Sequence, residues 1–189
     1  MKKKILFAAL ALCIVNGAIA QGIKLGVKAG ANLSTITELQ ANPKMKLGFH
    51  VGGFLDFKFS ESLSLQPEIL YSLQGYDYQW PEETESGSVN LNYINVPVLL
   101  KINIAEGLSA EVGPQVGILF YASDKFGSEP LEDLTDMCQT IDVTALAGLS
   151  YTFAGNFVIG ARYGLGLTNI FKPFNGKTSL IQFSLGYKF

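Results

Sequence analysis

From Gly22 onward, apolar residues recur at every second position in eight segments of the chain. In segment 46–59, the odd positions carry Leu, Phe, Val and one Gly, whereas the even positions are mostly charged, polar or small. Successive side chains of a β-strand point to opposite faces, so this alternation predicts strands with one apolar and one polar face. The predicted strands are Gly22–Leu33, Lys46–Phe59, Leu63–Tyr76, Val89–Ile104, Leu108–Tyr121, Thr140–Phe153, Phe157–Thr168 and Ser179–Phe189.

Short and long connections alternate between these segments. Turns of about three residues follow Phe59, Ile104 and Phe153, whereas the connections 34–45, 77–88, 122–139 and 169–178 are longer. Outer-membrane barrels show this alternation, with short turns on the periplasmic side and long loops outside. An even number of strands can also close without leaving an unpaired edge. The pattern predicts an all-β fold, an eight-stranded antiparallel up-and-down transmembrane β-barrel.

Charged residues indicate what covers the apolar face. A soluble eight-stranded barrel, with its apolar face inward and its polar face in water, is the structural alternative. A lysine or arginine facing the bilayer centre costs ~2–4 kcal/mol, and the apolar faces of most predicted strands carry no charge. The charged residues of the strands share the polar face: Lys28, Lys46, Asp56, Lys58, Glu68, Lys101, Glu111, Asp142, Arg162 and Lys188. We therefore expect lipid to cover the apolar face.

The N-terminus reads as an export signal. A basic end at 2–4 precedes an apolar core at 5–15 and an A-x-A cleavage site at 18–20. The core is 11 residues long, too short to cross a ~30 Å bilayer as a helix. A lipoprotein signal at Cys13 is disfavoured because Leu12 precedes it. The sequence thus predicts a signal peptide over 1–20 and a barrel domain over 21–189, located in the cell outer membrane.

The fourth strand interrupts the alternation. Leu91 and Tyr93 are predicted to face outward at odd positions, whereas from Ile94 onward the outward apolar residues are even. A β-bulge near Tyr93 would switch the parity, or this end of the strand lies beyond the lipid. Three prolines also fall inside predicted strands, at Pro67, Pro97 and Pro114. Each should sit at a bulge or weaken a pairing, because proline donates no ladder hydrogen bond.

Eight strands enclose a space that side chains can just fill, so inward charges should be paired. Arg162 is the only arginine of the chain and is predicted to face inward. We predict an interior charge network in which Arg162 bonds to Glu68 or Glu111, with Lys101 at a similar depth. An unpaired ion in this interior would cost several kcal/mol. The functional alternative is an ion or proton path.

The sequence offers little for catalysis. His50 is the only histidine and is predicted to face inward. Cys138 lies in an acidic stretch, with no cation nearby in the sequence to activate its thiol, and no G-x-S-x-G motif is present. We expect no enzyme, no cofactor and no metal site; a lipid-modifying enzyme is the least favoured alternative. A net charge of −2 gives no support for nucleic-acid binding.

The loops favour an interaction role. Loops 77–88 and 122–139 are acidic, and such runs are mostly solvated; weak divalent-cation binding that bridges to lipopolysaccharide is the alternative. Expected partners are membrane lipid, lipopolysaccharide and an unidentified protein, and we expect a monomer. Aromatic residues near the loop bases should form mainly an interfacial girdle: Tyr76, Tyr78, Trp80, Phe120, Tyr121, Phe126, Phe171 and Phe174.

The last predicted strand alternates outward apolar residues up to Tyr187 and Phe189. This arrangement resembles the C-terminal recognition strand of proteins inserted by the outer-membrane assembly machinery. We therefore expect that machinery as a further partner, with Tyr187 and Phe189 as a possible assembly signal.

Four stretches of the chain resemble the PorT-like family of outer-membrane β-barrels: 23–33, 91–101, 113–117 and 162–170. The run Tyr-Ile-x-Val-Pro-x-Leu-Leu-Lys, which begins at Tyr93, is the most specific of these matches. The resemblance implies an eight-stranded barrel and brings no catalytic residues. The founding type of the family is tied to protein secretion across the outer membrane. The residues favour a structural or interaction role through the outer loops, with a secretion or transport accessory as the alternative.

Overall fold

The computed structural model describes residues 22–37, 43–79, 86–127, 132–172 and 176–189. The predicted export signal lies outside these residues, as do parts of the four long loops. No helix in the described ranges has the length and apolar character needed to cross a bilayer.

Antiparallel β-strands make up most of the described chain. Eight long strands carry the fold, and the short β6 is followed by one 3-10 turn at Thr135–Met137. In chain order the strands are β1 Ile23–Thr37, β2 Lys44–Lys58, β3 Leu63–Gln79, β4 Ser86–Ala105, β5 Leu108–Phe126, β6 Glu132–Asp133, β7 Ile141–Phe153, β8 Phe157–Gly166 and β9 Lys177–Lys188.

The eight long strands close into a barrel. Each one pairs with its sequence neighbour, β5 pairs with β7 across the outer loop, and β1 pairs with β9 to complete the ring. Residues 59–62, 106–107 and 154–156 form the short turns at one end. Gly107 and Gly155 adopt φ of +76° and +77° there, a conformation that glycine tolerates best. The predicted eight-stranded antiparallel barrel is confirmed.

The two faces of the barrel wall have opposite character. Apolar side chains such as Ile159, Leu165 and Phe183 point outward and are about half exposed. Polar side chains such as Glu68 and Gln115 point inward and are buried. This distribution is the reverse of that in a soluble barrel. Closure of the ring also pairs each long strand on both sides, as a lipid environment requires.

The predicted outward orientation of Leu91 and Tyr93 is wrong. Leu91 and Tyr93 are 2% and 1% exposed and face the interior. All the remaining odd positions from Gly87 to Lys101 are buried in the same way. The strand keeps one parity throughout. A bulge does occur at this level, but in β5, where Phe120 is the extra residue between the partners of Asn92 and Tyr93.

The three strand prolines interrupt the ladders without changing the register. Between β3 and β4 the paired residues stop at Pro67 and resume at Leu70 with the same offset. Between β4 and β5 the paired residues stop at Pro97 and resume at Leu100. Pro114 of β5 lies opposite this gap. The weakened pairing is the expected effect of a residue without an amide hydrogen.

Three strands rise beyond the others at the loop end. At the loop end, β3 ends at Gln79, β4 begins at Ser86 and β5 ends at Phe126. By contrast, β7 begins at Ile141 and β8 already ends at Gly166. The sequence-predicted strands stop short of these positions in β3, β4 and β5, whereas the predicted β8 extends past Gly166. We call residues 74–79, 86–92 and 121–126 the outer extension.

Candidate functional site

A charge cluster occupies the turn-side half of the barrel interior. The guanidinium group of Arg162 donates to Glu111 Oε2 at 2.6 Å and to both oxygens of Glu68, at 2.8 and 2.9 Å. The prediction named Glu68 or Glu111 as the partner, and the structure places Arg162 against both. Arg162 therefore bridges β3 and β5 from its own position on β8.

Two lysines complete this charge cluster. Lys28 Nζ lies 3.2 Å from each oxygen of Glu68, and Lys101 Nζ lies 3.0 Å from Glu111 Oε1. The Lys101 contact is an ion pair without hydrogen-bond geometry, since Glu111 Oε1 has no hydrogen-bond partner among the described residues. Lys101 Nζ instead donates to Gln66 Oε1 at 3.1 Å, and Gln66 donates to Glu68 at 2.6 Å.

Every member of the charge cluster is buried. The exposed fractions are 1% for Glu68, 3% for Glu111, 2% for Lys101 and 6% for Arg162. Burial removes water that would otherwise solvate these ions, so the contacts among them must replace it. A cavity of about 10 Å³ beside Arg162 is large enough for roughly one water molecule. Side chains thus fill this half of the lumen.

A neutral hydrogen-bonded layer lies next to the charge cluster. Asn32 donates to Ser72 Oγ at 2.9 Å and receives contacts at its Oδ1 from His50 Nδ1 at 2.8 Å and Gln182 Nε2 at 3.2 Å. His50 is 2% exposed. The lone histidine therefore faces inward and is held by an amide rather than by a carboxylate.

An apolar cluster fills the outer mouth of the barrel, above the polar layers. It consists of Ile36, Tyr76, Val89, Leu91, Tyr93, Leu119, Ala122, Cys138 and Ile170, with Tyr78, Leu134 and Phe171 packed against it. We call these residues the outer cluster. Burial of their apolar surface contributes roughly 25 cal/mol per Å².

The described parts of two outer loops pack on this outer cluster. Leu134 N donates to Ala122 O at 3.0 Å, and Gln139 N donates to Ile170 O at 2.6 Å. Lys172 N donates to Met137 O at 3.0 Å, so the loops 127–140 and 167–176 are joined by backbone bonds. Burial raises the pKa of the Cys138 thiol to about 11, which leaves it protonated at neutral pH.

The predicted aromatic girdle is found only in part. Phe120 and Tyr121 face outward, whereas Tyr76 and Phe171 belong to the outer cluster, with ring centroids 6.4 Å apart. Tyr76 lies on the inward face of β3 and Phe171 lies in the loop that follows β8, so both rings pack on the outer cluster instead of facing outward. Trp80 and Phe174 lie outside the described residues.

A second group of aromatic rings lies at the turn end. Phe153, Phe157, Tyr187 and Phe189 form a row with successive centroids 5.7, 5.1 and 5.4 Å apart. Phe189 is 62% exposed on the outer face. The two residues of the possible assembly signal therefore lie together at this rim.

The sequence missed Lys28 and Gln66 as members of the charge cluster. Their parity already put them on the inward face, as it did for Glu68, so the missing information was the depth at which the strands meet.

The predicted acidic loop residues Asp133 and Asp136 are exposed, and Glu82, Glu83, Glu85 and Glu129 lie outside the described residues.

A family model described as "Outer membrane protein beta-barrel domain" matches residues 17–172. No curated protein sequence matches the chain.

Solved structures show the same fold at low sequence identity. The attachment invasion locus protein Ail of Yersinia pestis has a TM-score of 0.55 and 19% identity, over 88% of this chain and 98% of Ail. A second Ail structure, in complex with the heparin analogue sucrose octasulfate, has a TM-score of 0.55 and 18% identity. This match covers 88% of this chain and 99% of that one. Neisserial surface protein A gives 0.52 and 16%, over 87% of this chain and 97% of that protein. These likenesses concern the fold alone.

Proposed function

We propose, from the premise that this chain belongs to the outer membrane protein beta-barrel domain family, that it acts through its outer surface and does not conduct solutes. The chain is an integral β-barrel of the cell outer membrane. The observation that supports the proposal is the filling of its interior at two levels. The charge cluster occupies the turn-side half, and the outer cluster occupies the mouth.

The charge cluster and the outer cluster oppose conduction by different means. Arg162 holds β3, β5 and β8 together through carboxylates that are almost completely buried, so opening a path there separates paired ions in a medium of low dielectric constant. The outer cluster is largely apolar, so among the described residues it offers little that could replace the hydration of a passing ion.

Planar lipid bilayers test this proposal. We expect the purified barrel to insert without single-channel conductance steps, as does a detergent blank. A double variant Leu91→Ala and Arg162→Ala, which thins both levels, is the matched comparison and should increase leakage. Persistent steps from the unmodified protein would contradict the proposal.

The outer extension is the surface that we propose for interaction. Its β4 segment presents Ser88, Asn90 and Asn92 on the outward face, which is polar where the lower part of β4 is apolar. Lys46 Nζ contacts Asp77 at 3.9 Å at its base. A protein partner or the polar part of lipopolysaccharide fits such a surface better than hydrocarbon does.

An accessory role in secretion or transport is the second candidate. The PorT-like resemblance of residues 93–101 favours it, since these residues connect the outer extension to the charge cluster. Co-purification from mildly solubilised membranes separates the two roles. A stoichiometric partner favours the accessory role, and recovery of the barrel alone favours the structural one.

Two further predictions belong to this proposal. Tyr187 and Phe189 remain candidates for contact with the assembly machinery, because their rings lie 5.4 Å apart at the turn-side rim. A monomer remains the expected state.

A lipid-modifying enzyme is disfavoured, because His50 is buried beside Asn32 and away from the lipid-facing surface.

A further inference from the structure

Asp142 is a buried carboxylate that the charge cluster does not neutralise. It lies at the start of β7, faces inward and is 4% exposed. It takes part in none of the ion pairs found among the described residues. Glu111 of the charge cluster pairs with Gly148, which is about 20 Å of strand away from Asp142.

Three threonine hydroxyls surround this carboxylate. Thr168 donates to Oδ1 at 2.8 Å, while Thr144 and Thr178 donate to Oδ2 at 3.2 and 3.3 Å. Thr144 and Thr178 are 1% and 5% exposed. A hydroxyl that donates its hydrogen keeps oxygen lone pairs for another ligand, although Thr168 Oγ1 already accepts from Val143 N at 2.8 Å.

Unpartnered polar atoms on the neighbouring strands provide an independent observation. Gln115 Oε1 and Tyr93 Oη make no hydrogen bond among the described residues, although these side chains are 2% and 1% exposed. Gln115 pairs directly with Thr144 across β5 and β7. A buried oxygen without a hydrogen-bond partner is unfavourable, so a ligand that satisfies it is favoured.

Gly117 lets two side chains of β4 pack closely against β5 beside Asp142. It pairs with Asn95 on one side and with Asp142 on the other, so the three positions form one row across β4, β5 and β7. A Cβ atom at Gly117 would lie 2.8 Å from Asn95 Oδ1 and 3.1 Å from a ring carbon of Tyr93. Both side chains therefore lie over the glycine, in the row that contains Asp142.

We propose that Asp142, with Thr144, Thr168, Thr178 and Gln115, binds one monovalent cation of the Na⁺ or K⁺ class. Hard cations prefer oxygen ligands, which carboxylate, hydroxyl and amide groups supply. One carboxylate among neutral oxygens balances a single positive charge. A divalent ion would keep an uncompensated charge in a buried place.

The site is reached from the outer side of the barrel. The wall ends at this level, because β7 begins at Ile141 and β8 ends at Gly166. Thr168 is partly exposed just beyond the end of β8. A cation that arrives from this end does not have to pass the charge cluster.

Unfolding in detergent at constant ionic strength tests the site. Choline chloride is replaced stepwise by NaCl or KCl, and the thermal midpoint of the full-length barrel is recorded. A ligand that binds only the folded state stabilises it by RT ln(1 + [L]/Kd), so the midpoint should rise with cation concentration. The variant Asp142→Asn keeps the shape of the side chain and should lose this rise.

Matched variants separate this site from general salt effects. Asp56→Asn alters another buried carboxylate, one that Lys188 pairs at 2.7 Å, and should retain the cation-dependent rise. Equal slopes for Asp142→Asn and the unmodified chain would overturn the proposal, as would stabilisation by CaCl₂ alone. If Asp142→Asn does not fold, ²³Na relaxation of the unmodified barrel decides. Broadening that K⁺ displaces supports the site, and unchanged relaxation overturns it.

Discussion

Glu68 and Glu111 hold three cationic side chains together inside the barrel. Parity along the strand was enough to predict that Arg162 faces inward, near an acid of similar depth. It did not assign Lys28 to the same group. Which inward residues meet across the lumen depends on the tilt and stagger of the strands, and alternation along one strand contains neither quantity.

Removing the guanidinium group should strongly destabilise the barrel. In Arg162→Ala both carboxylates lose their shared partner while they remain buried. Breaking a buried pair in this way costs about 3–5 kcal/mol of unfolding free energy, measurable by urea titration in detergent micelles. Ile159→Ala, on the outward face of the same strand, should cost less because it removes none of the charged hydrogen bonds that Glu68 and Glu111 receive from Arg162. A loss below about 1 kcal/mol for Arg162→Ala would contradict the pairing.

At the scale of elements, the outer extension is the part that alternation alone misassigned. Apolar alternation shows that one face of a strand is dry, but not whether lipid or protein covers it. Along β4, lipid covers the even positions near Val98, and the outer cluster covers the odd positions at Leu91 and Tyr93. The bulge at Phe120 lies on the partner strand, where the sequence of β4 carries no trace of it.

The thiol of Cys138 reports on the outer cluster. Burial raises its pKa from the ordinary 9.0 to about 11. Near neutral pH the folded barrel therefore contains roughly 100-fold less thiolate than a thiol with the ordinary pKa would. In the predicted barrel domain 21–189, where Cys138 is the only cysteine, we expect maleimide to label the folded barrel at least that much more slowly than the urea-unfolded chain. The labelling rate should rise as the pH approaches 11.

Phe171→Ala is the matched variant for this measurement, because Phe171 packs against the outer cluster from loop 167–176. It should speed the labelling of the folded barrel by loosening that contact. Equal labelling rates for folded and unfolded protein would show that the outer mouth is open.

The whole molecule is organised by closure. Pairing of β1 with β9 leaves no free edge among the eight long strands, so the outward face can lie in hydrocarbon. Strand number, connection lengths and the placement of charges together predicted this architecture. The rise of β3 to β5 above the low wall of β7 and β8 was not predicted, because polar and apolar residues mix in those outer segments.

The central claim is that lipid covers the outward face of this closed barrel, and spin labels along β8 test it most directly. Single nitroxides are placed at each position from Phe157 to Gly166 in reconstituted bilayers. Their accessibility to molecular oxygen, which concentrates in lipid, is compared with that to a water-soluble nickel chelate. We predict that oxygen accessibility alternates with a period of two and peaks at Ile159, Ala161 and Tyr163. High nickel accessibility at these three positions would show an outward face in water and contradict the account.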